Sequence, residues 1–244
     1  MSKEGRGPVP SPRGYEQTGY AVTCRSMDEY LRMFSLEEER LHRGPVLDVA
    51  AGASSFTAMA RRKGVDAFAA DPTYAMDADD MEKTGYEEIE VSTEKLDALR
   101  DSFDWSYYGS PEHHRKLREA SFSQFIESYR TEGSQVYTEA SLPNLPFAEE
   151  RFSLVLCSHF LFLYGQGLDE QFHLEACREL LRICRPGGEV RIYPLLDLSF
   201  KEYPGLDILI QELEDSGASV RMMESRLAFI PGSKHLLCLT KKDR

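Results

Sequence analysis

Acidic and small residues follow two short apolar runs of the sequence, at the point where each run ends. Asp48 lies in VLDVA and is followed by Ala50 and Gly52, and Asp71 closes VDAFAA 19 positions after Gly52. Small side chains let a ligand approach the backbone, and glycine accepts a positive φ without strain. An acid at about this distance commonly accepts hydrogen bonds from ribose hydroxyls. The arrangement predicts a nucleoside site, although a tight turn without a ligand has the same local pattern.

The loop VAAGASSF indicates which kind of nucleoside it would bind. A dinucleotide fingerprint requires G-x-G-x-x-G, and a phosphate-binding loop requires G-x-x-x-x-G-K-[ST]. The sequence has neither pattern at this position. A nucleoside without phosphates needs less exposed backbone at the start of the helix, and it is the ligand that this loop favours.

Candidate catalytic side chains follow two later apolar runs. Ser158 and His159 come at the end of FSLVLCS, and Tyr193 comes at the end of EVRIY. The pKa of an unperturbed histidine lies near neutrality, which suits His159 to the role of general base. A histidine packed against the backbone and a structural tyrosine are the alternatives for His159 and Tyr193.

Strand-like and helix-like segments alternate from residue 45 onward, and this alternation implies a parallel sheet. We predict an α/β fold in which a doubly wound, mostly parallel, Rossmann-like sheet of seven strands ends in an antiparallel strand. Residues 72–134 interrupt the alternation with acidic, aromatic and helical sequence, including STEKLDALRDSFDWSYYG and PEHHRKLREASFSQFIESYR. So long a connection predicts a helical insertion that forms a lid. We further predict a flexible tail over 1–14, a helical cap over 15–44 with one amphipathic helix in SMDEYLRMFSLEEERL, and the main domain over 45–244.

Composition limits the possible partners. The 244 residues include 41 Asp and Glu against 29 Lys and Arg, giving a net charge of -12, which opposes binding to nucleic acid. The basic run HHRKLR is interpreted as a solvated helix face.

Five widely spaced cysteines indicate neither a disulfide framework nor a zinc site, so no metal is expected and a reducing, cytoplasmic location is favoured. No signal peptide or membrane-spanning run is visible, so no membrane partner is expected.

Residues 45–240 resemble the class I S-adenosylmethionine-dependent methyltransferase family. DVAAGAS matches that family's acid-x-Gly-x-Gly-x-Gly loop at Asp48 and Gly52, while Ala50 and Ser54 replace two of its glycines. EASLPNLPFAEERFSLVLCS is similar to its D-A-x-x-L-P-F-x-x-x-x-F-D-x-V segment. ELLRICRPGGEVRIY is similar to its L-x-R-V-L-K-P-G-G turn into the fifth strand. Asp71 corresponds to the acid that closes the second strand.

The resemblance implies S-adenosylmethionine as the cofactor but says little about the substrate, and we expect a small molecule as the methyl acceptor. It implies ribose binding by Asp71 and adenine binding by Ser141 and the backbone of Leu142, since Ser141 stands where the family usually has an acid. The N-terminal segment is expected to fold over the cofactor, with Tyr15 or Tyr20 near the sulfonium and Arg25 near the methionyl carboxylate, although a surface position is the alternative for Arg25. The predicted cofactor site is therefore formed by Asp48, Ala50, Gly52, Asp71, Ser141, Leu142, Ser158 and Arg25, and the predicted catalytic residues are His159, Tyr193 and Tyr20.

Three other functions stay open from the sequence. One is an enzyme that consumes S-adenosylmethionine by cyclisation to azetidine-2-carboxylate and methylthioadenosine, or by transfer of the aminocarboxypropyl group. Another is a noncatalytic protein that only binds S-adenosylmethionine. A nicotinamide-dependent oxidoreductase ranks last, because the dinucleotide fingerprint is missing.

Overall fold

In the computed structural model, which describes Tyr15 and residues 22–241, seven strands form one sheet. The strands are β1 (Val46–Val49), β2 (Ala67–Ala70), β3 (Tyr137–Thr138), β4 (Phe152–Ser158), β5 (Cys184–Tyr193), β6 (Ala218–Glu224) and β7 (His235–Lys241). Their order across the sheet is β3-β2-β1-β4-β5-β7-β6. The pairs from β3 to β5 are parallel, and β7 is antiparallel to both β5 and β6. The predicted sheet with its antiparallel last strand is confirmed.

Seven α-helices accompany the strands in the described part of the chain. They are α1 (Met27–Met33), α2 (Glu38–Leu41), α3 (Phe56–Arg62), α4 (Ala78–Ala98), α5 (Pro111–Glu132), α6 (Glu170–Ile183) and α7 (Leu206–Asp215). The long helices begin at polar caps: the side chains of Asp77, Ser110 and Asp169 accept hydrogen bonds from first-turn amides of α4, α5 and α6. Among the described residues, no helix has both the length and the apolar character needed to cross a membrane.

The sheet is buried on both faces. Side chains alternate along β1, so Leu47 and Val49 pack with residues of α6 and α7, while Val46 packs with residues of α1 and α3. This double burial explains the continuous apolar runs of β1 and β4, which a sheet exposed on one face would not show.

Three element boundaries differ from the sequence prediction. The predicted first helix is two helices, because Ser35 takes a left-handed conformation with φ 48 after α1 ends. The first helix of the insertion begins at Ala78 rather than near residue 92, since Asp77 caps it, and the residues after Ser102 are not helical up to Ser110. The segment RPGG is not a turn before β5 but lies inside it, next to an irregular register between β4 and β5.

Helices α4 and α5 are packed closely and are tied to the sheet. A Cβ at Gly85 of α4 would lie 2.1 Å from Cζ of Phe122 in α5, so the helices could not approach this closely with a larger residue there. The Tyr129 hydroxyl of α5 donates to the backbone oxygens of Tyr74 (3.0 Å) and Met76 (2.8 Å). These bonds fix α5 against the chain that leaves β2.

Candidate functional site

A cavity of about 400 Å³ lies at the carboxyl ends of β1, β2 and β4. We call it the first cavity. Seven of the predicted site residues line it together: Ala50, Gly52, Asp71, Ser141, Leu142, Ser158 and His159. Its remaining wall consists of Val22, Thr23, Val49, Pro72, Thr73, Ala140, Phe160, Tyr164, Leu168 and Phe172. Its volume and its mixture of apolar walls with a few polar groups are typical of a small-molecule site.

The loop between β1 and α3 is closed by the N-terminal segment. The amide of Ala53 donates to the Thr23 oxygen (3.1 Å), and the amide of Ser55 donates to the Arg25 oxygen (3.0 Å). The Ser54 hydroxyl donates to the same Arg25 oxygen at 2.9 Å. Amides at the start of a helix are the groups that would bind a phosphate, and here they are already paired. This geometry fits a ligand without phosphates at this loop.

Gly52 is required in this loop for two reasons. Its φ is 54, which favours glycine, and an added Cβ would lie 3.2 Å from the Thr23 nitrogen and 3.3 Å from the Thr23 oxygen. A side chain at position 52 would therefore displace the N-terminal segment that closes the loop.

Ala50 has a φ of 53 although it is not glycine. A left-handed conformation costs an L-residue about 1–2 kcal/mol, and glycine gains back about 0.4–1 kcal/mol of entropy when it unfolds. We therefore expect Ala50→Gly to raise the free energy of unfolding by about 0.5–1 kcal/mol, measured by urea denaturation. The matched control is Ala51→Gly, which has no positive φ to relieve and should lower it by about 0.4–1 kcal/mol. Equal shifts in the two variants would contradict strain at Ala50.

Asp71 connects the loop to the end of β2. Its Oδ2 accepts from the Gly52 amide at 2.9 Å, and its Oδ1 accepts from the amide (2.9 Å) and hydroxyl (2.6 Å) of Thr73. A carboxylate offers about four lone pairs. These three bonds leave one lone pair on Oδ2, beside the cavity, for a ligand hydroxyl.

Asp48 does not line the first cavity, which differs from its predicted place in the cofactor site. It lies inside β1, paired in register with Ala69 and Leu156, and it is fully buried. Among the described residues, neither carboxyl oxygen has a hydrogen-bond partner. Burial raises the pKa of Asp48 well above its usual range. Asp48 thus lies buried beneath the loop rather than in the wall of the first cavity.

His159 lies at the end of β4 in a strained conformation, with φ 52. Its Nδ1 is 2.9 Å from the Ser158 hydroxyl, and its amide donates to the Tyr193 oxygen at 2.6 Å. Burial lowers the pKa of His159 well below its usual range, and the charges of Arg25 and Arg118 lower it further. The imidazole is therefore neutral at physiological pH and can accept a hydrogen bond. Strained residues of this kind are concentrated at functional sites.

The structure places Tyr193 outside the wall of the first cavity. Its side chain is buried, and its hydroxyl donates to the Leu227 oxygen at 2.7 Å and lies 2.9 Å from the Ser233 hydroxyl. These contacts make Tyr193 a structural residue, because its hydroxyl already holds the segment between β6 and β7. Tyr20 and the predicted tail over 1–14 lie outside the described residues.

A second cavity, of about 110 Å³, adjoins the first through the shared residues Val22 and Thr23. Arg25 lines this second cavity and not the first, which differs from its predicted place beside the cofactor. The other lining residues come from the N-terminal segment, from α4 and α5, and from the loops after β4, β5 and β6: Tyr15, Cys24, Glu88, Ile89, Ser92, Leu96, Phe103, His114, Arg118, Leu163, Leu198, Phe200, Phe229 and Ile230.

A buried ion pair beside the second cavity was not predicted from the sequence. Both nitrogens at the end of Arg118 donate to Glu29, and Arg118 also donates to the Cys24 oxygen (2.6 Å), the His114 Nε2 (3.1 Å) and the Tyr108 hydroxyl (3.0 Å). The predicted solvated face HHRKLR was wrong for its two buried members, His114 and Arg118. The sequence signal that was available is the capping-box spacing of Ser26 and Glu29, which marks the start of α1 but not the burial of Glu29.

Among the described residues, no group of three or more His, Cys, Asp or Glu is arranged to hold a metal ion. All five cysteines are buried and free.

This chain is similar to several known proteins. A family model described as a methyltransferase domain matches residues 116–192. The uncharacterized protein MJ0045 of Methanocaldococcus jannaschii is 31% identical over 218 residues, covering 89% of this chain and 94% of that protein. A putative S-adenosyl-L-methionine-dependent methyltransferase of Methanococcus maripaludis is 12% identical, with a TM-score of 0.43 and coverage of 89% of this chain and 84% of that one. The 1,6-didemethyltoxoflavin-N1-methyltransferase of Burkholderia thailandensis is 16% identical, with a TM-score of 0.45 and coverage of 84% and 76%.

Proposed function

Because the chain belongs to the class I S-adenosylmethionine-dependent methyltransferase family, whose cofactor is S-adenosylmethionine, we propose that it methylates a small molecule bound in the second cavity. The observation that carries this proposal is the meeting of two cavities at Val22 and Thr23. One cavity has the residues expected for a nucleoside cofactor, and the other is small and mostly apolar. A small acceptor fits such a space better than a macromolecule does.

The residues of the first cavity fit the cofactor. The free lone pair of Asp71 Oδ2 suits a ribose hydroxyl, and Ser141 with the backbone of Leu142 suits the adenine ring. Ala50 and Gly52 leave room for close approach of the ligand to the backbone, and Ser158 would supply a further polar contact. When bound, S-adenosylmethionine supplies an electrophilic methyl carbon. The task of the protein is then to hold the acceptor in line with that carbon and to exclude water.

Helices α4 and α5 and the N-terminal segment form three sides of the second cavity. We infer that they act as the lid predicted from the sequence, since they separate the acceptor from solvent while the cofactor lies on the sheet. The buried free cysteines favour a reducing compartment, and we propose the cytoplasm, which cell fractionation would test.

His159 lines the first cavity, and we propose that it accepts a hydrogen bond from the reacting group of the acceptor where that group extends from the second cavity into the first. Because burial lowers its pKa, it is a weak base, and we expect His159→Asn to lower kcat by only about 10- to 100-fold, below the usual range for general-base removal. The same lowered pKa keeps the imidazole neutral at a pH where an ordinary histidine begins to be protonated, so kcat is expected to stay level as the pH falls through about 6.5. An ordinary histidine base would lose activity below about pH 6.5, and such a loss would contradict this role.

Calorimetric titration with S-adenosylmethionine and S-adenosylhomocysteine tests the proposed function. We expect both to bind with a stoichiometry of about one, as a single cavity predicts. Absence of binding would overturn the proposal. Release of methylthioadenosine from S-adenosylmethionine alone would contradict methyl transfer while leaving the cofactor site intact.

A further inference from the structure

The Arg25 guanidinium is a partly buried cation without a partner among the described residues. It carries five N–H donors. Among the described residues it donates no hydrogen bond and forms no ion pair, and its Nη1 is fully buried. Its backbone oxygen accepts hydrogen bonds from the Ser54 hydroxyl and the Ser55 amide, whereas its side chain lines the second cavity. A buried charge is costly unless it is paired, so this position is explained by a ligand that supplies the pair.

The charged groups around Arg25 do not neutralise it. Arg118 and Glu29 form a matched pair, and every donor of Arg118 is used. Glu88 also lines the cavity but forms no ion pair with Arg25 within 4 Å. Among the described residues, no carboxylate therefore lies within ion-pair distance of the Arg25 guanidinium.

His114 adds a second unused donor. Its Nε2 accepts from the Arg118 Nε, so the ring hydrogen is on Nδ1. That Nδ1 is buried and has no hydrogen-bond partner among the described residues. Arg25 and His114 thus bring two unsatisfied donors, one of them charged, to the wall of a cavity that is otherwise lined mainly by Phe, Leu, Ile and Val side chains.

Resting on the proposed function, we propose that the acceptor substrate is an apolar carboxylic acid whose carboxylate binds Arg25. The planar guanidinium matches a carboxylate with two parallel hydrogen bonds. An apolar cavity of about 150 Å³ holds benzene, and the observed 110 Å³ is smaller, so the apolar body of the acid is expected to be no larger than one ring. The methionyl carboxylate of the cofactor is the competing partner, and the position of Arg25 outside the first cavity disfavours it.

The experiment is calorimetry on the full chain saturated with S-adenosylhomocysteine, with phenylacetate, phenylacetamide and phenethylamine as probes. We expect phenylacetate to bind at least about tenfold more tightly than the other two. Arg25→Gln should remove that preference, and Arg25→Lys should keep part of it. Arg32→Gln, on an exposed arginine of α1, is the matched control and should change nothing. Thermal unfolding checks each variant, and loss of an unpaired charge should not lower its Tm.

The outcomes separate this inference from the proposed function. A preference for phenethylamine, or an acid preference that persists in Arg25→Gln, would overturn the inference. Weaker binding of S-adenosylhomocysteine to Arg25→Gln, with unchanged acid preference, would assign the guanidinium to the cofactor instead. If S-adenosylhomocysteine does not bind the unmutated protein, the proposed function is wrong. Titration with the three probes in the absence of S-adenosylhomocysteine then still tests whether Arg25 binds a carboxylate.

Discussion

Asp71→Ala is expected to weaken binding of S-adenosylhomocysteine by about 100-fold. A hydrogen bond to a charged group contributes about 1.5–3 kcal/mol, and the variant loses the ribose contact that we assign to Oδ2. It also loses the bond from the Gly52 amide that holds the loop in its binding conformation. The combined loss of about 3 kcal/mol corresponds to two orders of magnitude in the dissociation constant.

Calorimetry measures this effect, and Thr73→Val is its matched control. The control removes the hydroxyl that donates to Oδ1 at 2.6 Å but keeps the carboxylate and its bond to Gly52. We expect it to change the dissociation constant by less than about threefold, because the lone pair used for the ribose is untouched. Similar losses in both variants would mean that the geometry of the turn, rather than the carboxylate, controls affinity.

The first cavity was largely predictable because parallel strands bring their carboxyl ends to one edge of a sheet. Asp71, Ser141 and His159 are far apart in sequence but all follow strands, so the topology alone brings them together. The same argument does not hold for Asp48, because this residue lies within β1 and not after it. Side chains alternate along a strand, so Asp48 lies on the same face as Val46, against α1 and α3, and not at the edge that binds the ligand.

The second cavity was not predictable because its wall is formed by contacts between distant segments. Arg25 was assigned to the cofactor on chemical grounds alone, and only the path of the N-terminal segment shows which cavity its side chain lines. Likewise, Glu29 and Arg118 are 89 positions apart, and an amphipathic pattern cannot reveal that a charged residue on α5 is buried. Long-range pairing of this kind requires the tertiary structure.

Glu29→Gln is expected to lower the free energy of unfolding by about 3–5 kcal/mol, because it leaves the buried Arg118 charge without its partner. Urea denaturation measures the loss. Glu119→Gln is the matched control on the same helix as Arg118, since its partner Arg115 is exposed, and it should cost less than about 0.5 kcal/mol. In the double variant Glu29→Gln/Arg118→Met the cost should be smaller than the sum of the two single changes. Equal effects at positions 29 and 119 would contradict a buried pair.

The pH dependence of stability gives this pair a distinct signature. Burial opposes ionisation of Glu29, but the Arg118 charge and the hydrogen bonds from Arg118, Ser26 and Tyr108 outweigh it and lower the pKa to about 2. Because this folded value lies below the unfolded one, the stabilisation from Glu29 is complete above about pH 4.5 and is lost as the pH falls toward 2. His114 and His159, whose pKa values burial lowers, add a separate loss below about pH 6.5. The Glu29→Gln variant should still lose free energy of unfolding below pH 6.5, but the further decrease below pH 4.5 should be smaller than in the unmutated protein. An unchanged decrease below pH 4.5 would mean that Glu29 is not the group responsible.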